Sequence, residues 1–268
     1  MSFEIVQIDA FSSRPFGGNP AAVCLLPKYP SNEWLLSVAR EMNLSETAFL
    51  KPRHDGFELR WFTPEVEVEL CGHATLASAH FLWQKGLLEP AEPARFHTLS
   101  GWLVAQQRKG WIEMDFPAEP PDAVSATPEL LRALGVEALY VGKNRFDYLV
   151  EVESESILRK MQPDFKLLAE VCDRGVMVTS GTDQAEIDFV SRFFAPAVGV
   201  DEDPVTGSAH CCLAPFWSRR LAKGELVGFQ ASRRGGVVRT RLQGNRVLLS
   251  GQAVTVLEGH LQLEVPTS

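Results

Sequence analysis

The sequence predicts an α+β protein of two pseudo-symmetric halves, each a curved sheet or barrel wrapped around a central buried helix. Three observations carry this prediction. The chain repeats itself: FTPEVEVELCGHATLASAHFLW, from Phe62 to Trp83, matches FAPAVGVDEDPVTGSAHCCLAPFW, from Phe194 to Trp217. Both copies run Phe-x-Pro-x-Val-x-Val, a loop, and then a Gly and a polar residue that open an apolar, small-residue helix. The offset between Gly72 and Gly207 is 135 residues (207 − 72), about half of the 268-residue chain. That offset marks a duplicated half rather than a short-period array. Finally, each half offers many short strands and one helix that is apolar nearly all round, and a sheet curved around such a helix is the simplest way to bury it.

The elements follow in order. Phe3 to Phe11 and Pro20 to Leu26 alternate as strands across the turn-rich SSRPFGGN. Ser31 to Leu44 reads as a helix with Ser31 as N-cap and Trp34, Leu35, Val38, Ala39 and Met42 on one apolar face. Strands Glu46 to Lys51 and Phe57 to Phe62 join through the hairpin residues His54-Asp55-Gly56. The first repeated helix runs from Gly72 to Gln84, and strands follow at Ala94 to Thr98, Trp102 to Gln107 and Trp111 to Phe116. Pro117 to Pro128, PAEPPDAVSATP, is proline-rich and reads as the boundary, giving halves 1–117 and 118–268, with the C-terminal strand free to return to the first half. The second half repeats the grammar: a strand at Phe146 to Val152, a helix at Asp164 to Cys172, strands at Val176 to Ser180 and Ile187 to Phe194, and the second apolar helix from Gly207. Pro215, lacking an N–H, is expected to kink or break that helix. Four short strands close the chain, split by turns at Arg234-Gly235-Gly236 and Gln243-Gly244-Asn245.

Composition excludes several function classes. With 26 basic and 34 acidic residues the net charge is −8, which argues against nucleic acid or an anionic membrane as partner. Met1 to Ala10 alternates like a strand and lacks the basic start of a signal peptide, and no apolar run approaches the roughly 20 residues of a membrane span, so a cytoplasmic protein is expected. Five cysteines without a CxxC argue for reduced thiols, and the Cys71-Gly72-His73 and His210-Cys211-Cys212 spacings match no zinc pattern, so no metal is expected.

Four polar groups stand in apolar or glycine-bearing stretches: Glu46 in NLSETAFL, His73 in CGHAT, and Asp203 and Ser208 in DPVTGS. Alone, each has an ordinary reading: a solvated strand-start charge, a capping histidine, an Asp-Pro turn. The symmetry changes the weighing, because His73 and Ser208 directly follow Gly72 and Gly207 at equivalent helix starts. Those starts offer unpaired N–H groups and positive dipole ends, suited to a carboxylate or to developing negative charge, in a cleft between the halves.

The combination of GGNPAAV, LSETAF, CGHATLA and DPVTGSA, four motifs in order across the whole chain, resembles the PhzF-like (phenazine biosynthesis-like) family. The resemblance implies the diaminopimelate epimerase fold and a cofactor-independent isomerase acting by acid–base catalysis on a small-molecule substrate, with no cofactor, and a homodimer. It implies Glu46 as the acid/base, with His73, Asp203 and Ser208 assisting and with Asn19, Gly72 and Gly207 binding substrate. The family's namesake activity is the isomerisation of trans-2,3-dihydro-3-hydroxyanthranilate. Epimerases of this fold set a cysteine before each buried helix; here the first is Cys71 but its counterpart is Thr206, so racemisation by two thiolates is disfavoured and Cys71 reads as a packed small residue.

Chemistry points the same way. A carboxyl enclosed among Leu44, Ala48 and Phe49 would lose solvation and become a stronger base, able to take a proton from one acidified carbon and return it to another. The rival readings are an amino-acid epimerase or racemase and a non-catalytic ligand-binding protein of the same fold. Cys211 and Cys212 read as core, as do His80 and His210, while His54, His97 and His260 carry no motif.

Overall fold

The computed structural model describes residues 2–262. The chain forms two compact units, one made of the chain up to Asp115 together with the chain from Ser250 onward, the other of Phe116–Leu249. The first contains β1 (Phe3–Ala10), β2 (Asn19–Leu25), α1 (Asn32–Met42), β3 (Glu46–Arg53), β4 (Gly56–Phe62), β5 (Glu67–Val68), α2 (Gly72–Gln84), β6 (Ala94–Thr98) and β7 (Gly101–Arg108). The chain crosses into the second unit within β8 (Trp111–Pro117). There follow β9 (Asp122–Ala123), α3 (Pro128–Leu134), β10 (Tyr140–Lys143), β11 (Asp147–Glu151), α4 (Glu155–Lys160), α5 (Phe165–Val171), β12 (Gly175–Ser180), β13 (Phe189–Ala195), β14 (Val200–Asp203), α6 (Gly207–Leu221), β15 (Glu225–Gln230) and β16 (Gly236–Gln243). The chain leaves this unit within β17 (Arg246–Gly251), and β18 (Ala253–Leu261) pairs antiparallel with β1.

The duplication seen in the motifs extends to strand pairing. In the first unit β1 pairs antiparallel with β2, β2 parallel with β3, β3 antiparallel with β4, β4 antiparallel with β5 and parallel with β6, and β6 antiparallel with β7. In the second, β10, β11, β12, β13, β14, β15 and β16 repeat that series link for link. The helix before β6 is α2 and the helix before β15 is α6, so each apolar helix occupies the same place in its own sheet.

Both are buried on nearly every side: ten of thirteen residues in α2 and ten of fifteen in α6. A helix with no wet face must satisfy its own polar groups. In α2, Thr75 and Ser78 donate back to the carbonyls of Cys71 (2.5 Å) and Ala74 (2.7 Å). The amphipathic α1, capped by Ser31 at one end and by left-handed Asn43 at the other, instead buries the single stripe Trp34, Leu35, Val38 and Ala39.

Two expectations change. The first division falls two residues before the expected 117/118, and the proline-rich segment is more than a spacer. It holds β9, supplies Thr127 as the N-cap of α3, and donates Ala118 N–H to Asn245 O (2.8 Å) and Glu119 N–H to Cys211 O (3.0 Å). That last bond also explains why Pro215 does not break α6. Proline removes the donor that Cys211 O would meet four residues on, and the Glu119 N–H takes its place, so the helix continues to Leu221. Among the described residues no helix is long and apolar enough to cross a membrane.

Candidate active site

Three chain segments converge at the start of α2. Asn19 opens β2, Glu46 opens β3, and the two strands run parallel with Ala21 opposite Glu46. Strand alternation puts Glu46, Ala48 and Leu50 on one face and Thr47 and Phe49 on the other. Phe49 joins Trp34 and Leu35 in the core beneath α1, with Leu44 against it, so these two are not the walls around Glu46 that the sequence suggests. The neighbour of Glu46 is polar: its Oε2 lies 3.1 Å from His73 Nε2, at ion-pair distance. Both atoms are buried, and neither has an aligned hydrogen-bond partner.

His73 is held from its other nitrogen as well. Nδ1 lies 3.2 Å from Asn19 Nδ2 and 3.5 Å from Cys71 Sγ. Burial alone would push the imidazole down, but the Cys71 sulfur and the Glu46 carboxylate outweigh it and hold the ring well above its usual value of 6.5. Burial, with the Glu46 charge adding to it, pushes the Cys71 thiol up. The ring thus stands between the Cys71 sulfur at Nδ1 and the Glu46 carboxyl at Nε2. Asn19 suits either state of the ring: its NH2 donates to a bare Nδ1, and its carbonyl, after an amide flip, accepts from a protonated one. Around these side chains the first N–H groups of α2 point outward without intrahelical partners, since the first such bond is Thr75 N–H to Cys71 O.

The carboxylate, thiol and imidazole of Glu46, Cys71 and His73 lie within 4.8 Å of one another, the spacing of a metal-ligand group. Sequence spacing misses this set because Glu46 arrives from another strand. Metal ligands must be deprotonated, so an ion held by this set would displace the protons of the thiol and the imidazole.

The second unit builds a different bracket. Asp203 ends β14 and accepts a hydrogen bond from the Thr206 hydroxyl, and Thr206 is the N-cap of α6. The fully buried Gln230 at the end of β15 ties this corner together. Its Oε1 accepts from Thr206 N–H (2.8 Å), and its Nε2 donates to Asp203 O (2.8 Å) and Thr206 Oγ1 (3.1 Å). Gly207 is buried as the first residue of α6, and Ser208, after it, is exposed. Of the sequence candidates, then, Asn19, Glu46 and His73 meet at the start of α2 in one unit, and Asp203 and Ser208 belong to the other. Cys71, Thr206 and Gln230 are additions. The first two were visible as the aligned residues before each helix, whereas Gln230 carries no motif at all.

The phenazine biosynthesis-like protein family model matches residues 8–259. The chain belongs to this family. An uncharacterised isomerase of Halalkalibacterium halodurans is 54% identical over 98% of this chain and 100% of its own length, and one of Pseudomonas aeruginosa is 49% identical over 98% and 100%. A crystal structure of a PhzF-family phenazine biosynthesis protein from Enterococcus faecalis superposes with a TM-score of 0.93 at 38% identity, covering 98% of this chain and 100% of that one. This PhzF-like protein is accordingly an isomerase. Its fold is shared more widely: a hydroxyproline epimerase of Agrobacterium vitis, at 13% identity, still superposes with a TM-score of 0.63 over 99% and 94% of the two chains. Within this chain, the residue before α6 that aligns in the duplication with Cys71 is Thr206, whose hydroxyl donates to Asp203.

Proposed function

We propose that this PhzF-like isomerase moves a proton between two carbons of a small carboxylate-bearing metabolite, with Glu46 as the proton carrier. The observation that carries the reading is the Glu46–His73 pair. Two buried ionisable atoms lie 3.1 Å apart with no aligned hydrogen bond, beside the start of α2. The Glu46 carboxylate takes a proton from a C–H acidified by a neighbouring acid or conjugated group. The electron pair passes into that system, and the protonated carboxyl, which exchanges its proton with solvent, protonates a different carbon. Charge on the substrate carboxylate is met by the imidazolium and by the start of α2. Asp203 and Ser208, placed symmetrically in the sequence to the α2 residues, are proposed to orient the same substrate. One base reaches only the face on which it sits, so the proton moves without inversion of an existing stereocentre.

The second thiol needed for epimerisation by opposed thiolates is missing at Thr206, and burial disarms the first. The test is a screen of cyclic and unsaturated amino and hydroxy acids for solvent-proton exchange in deuterated water. The expected outcome is label at a new C–H position, lost in Glu46→Gln. Inversion at an existing stereocentre, lost in Cys71→Ser and intact in Glu46→Gln, would overturn the reading.

A further inference from the structure

Among the described residues five that are not glycine have positive φ. Three have ordinary reasons: Asn43 and Ala222 cap α1 and α6, and Lys109 sits with Gly110 in the tight turn joining β7 to β8. The other two, Phe11 (φ 62°) and Phe16 (φ 69°), lie in the single loop between β1 and β2. A bulky residue held in the left-handed region stores strain that some other interaction must offset. For Phe11 the offset is burial: it is 1% exposed and packs so closely on Gly251 that a Cβ there would come within 2.4 Å of its ring. Phe16 is 80% exposed, so its ring returns nothing to the fold.

Its backbone is nonetheless fixed. The Phe16 N–H donates to Oδ2 of the buried Asp9 (2.7 Å), Ser12 closes a turn on Arg14, and Gly18 (φ 63°) crosses so near Ala10 that any Cβ would come within 2.0 Å of its carbonyl. This loop ends on Asn19, the partner of His73, at the end of the sheet where β2 and β3 begin and where Glu46 stands.

We infer that Phe16 is a ligand-contacting residue, its ring held out to cover the apolar body of a carboxylate seated at Asn19, Glu46 and His73. The inference rests on the proton-transfer reading of that site. Fixed strain and an exposed ring three residues before Asn19 are both accounted for if the ring is buried only when substrate is present. Phe16→Gly removes ring and strain together, which separates function from folding.

The full-length protein, Phe16→Gly, Phe16→Leu and His73→Leu are titrated with benzoate, a carboxylate with an apolar body, and with acetate, which has almost none. Phe16→Gly is expected to weaken benzoate roughly tenfold or more, leave acetate unchanged, and keep or raise Tm by about 1–3 °C, with Phe16→Leu recovering part of the benzoate affinity. His73→Leu is expected to weaken both acids. Benzoate binding equal in Phe16→Gly and the parent, with His73→Leu still weakened, overturns the role of Phe16 and spares the site. Benzoate sensitive to Phe16 yet indifferent to His73 overturns the site reading and with it the placement of the ring. A fall in Tm for Phe16→Gly, or no benzoate binding to the parent, also overturns the inference.

Discussion

His73 on α2 and His210 on α6 are both buried, sit near the starts of sister helices, and titrate in opposite directions. At His210 burial acts almost unopposed. Its Nδ1 donates to Thr206 O (2.8 Å), its Nε2 has no hydrogen-bond partner, and the ring is driven down to about 4. At His73 the same burial is overridden by the Cys71 sulfur 3.5 Å from Nδ1 and the Glu46 carboxylate 3.1 Å from Nε2. Equal burial on equivalent helices thus pushes one histidine down and leaves the other raised, and the difference lies in the Cys71 and Glu46 side chains that flank His73. The capping groups differ in parallel. Asp203, Thr206 and Gln230 lock the start of α6 into a closed hydrogen-bonded corner, while the start of α2 keeps two buried polar atoms without aligned partners. Of the two similar scaffolds, the first carries the buried carboxyl–imidazole pair.

The comparison fails most visibly if removing its carboxylate changes nothing. Glu46→Gln is expected to lower proton exchange on an identified substrate by about 100-fold to 10,000-fold, and parent-level turnover would refute the assignment. The same variant should lower the His73 pKa: its ring C–H resonances should titrate at lower pH in Glu46→Gln than in the parent, and an unchanged titration would refute the pairing. Next in size is the acid limb of stability. The folded-state value of His210 lies below its unfolded one, so the neutral ring stabilises the fold above about pH 6.5, and that contribution disappears as pH falls to about 4. The shift corresponds to roughly 3 kcal/mol, read as the slope of urea-unfolding free energy against pH; a slope unchanged in His210→Gln would contradict it.

Gln230→Ala tests the locked corner. It leaves the buried Thr206 N–H unpaired and should cost about 1–3 kcal/mol of stability, measured as a lowered Tm; an unchanged Tm would mean that this bracket is dispensable. The smallest effect is expected for Cys71→Ser. A thiol held neutral by burial takes no part as a base, so exchange should stay within about threefold of the parent, and a severe loss would restore thiolate chemistry.

Periodicity and repetition determined the elements that bury large faces. The stripe of α1, the apolar helices α2 and α6 at their duplicated positions, and the strands around Glu46 all follow from local spacing. Four motifs likewise single out Asn19, Glu46, His73, Asp203 and Ser208. Short elements such as α3, α4 and β14 escaped because a turn or two of helix, or a few paired residues, leaves no periodic signature; neighbours in space stabilise them. Only tertiary structure decided that Gln230 closes the Asp203 corner, that Glu119 replaces the donor Pro215 lacks, and that β18 returns to β1. It also decided the charge on His73. Hydrogen bonding and charge pairing act across a few ångströms of space between residues that are distant in the chain, and local sequence encodes how a segment folds but not which distant group will stand beside it.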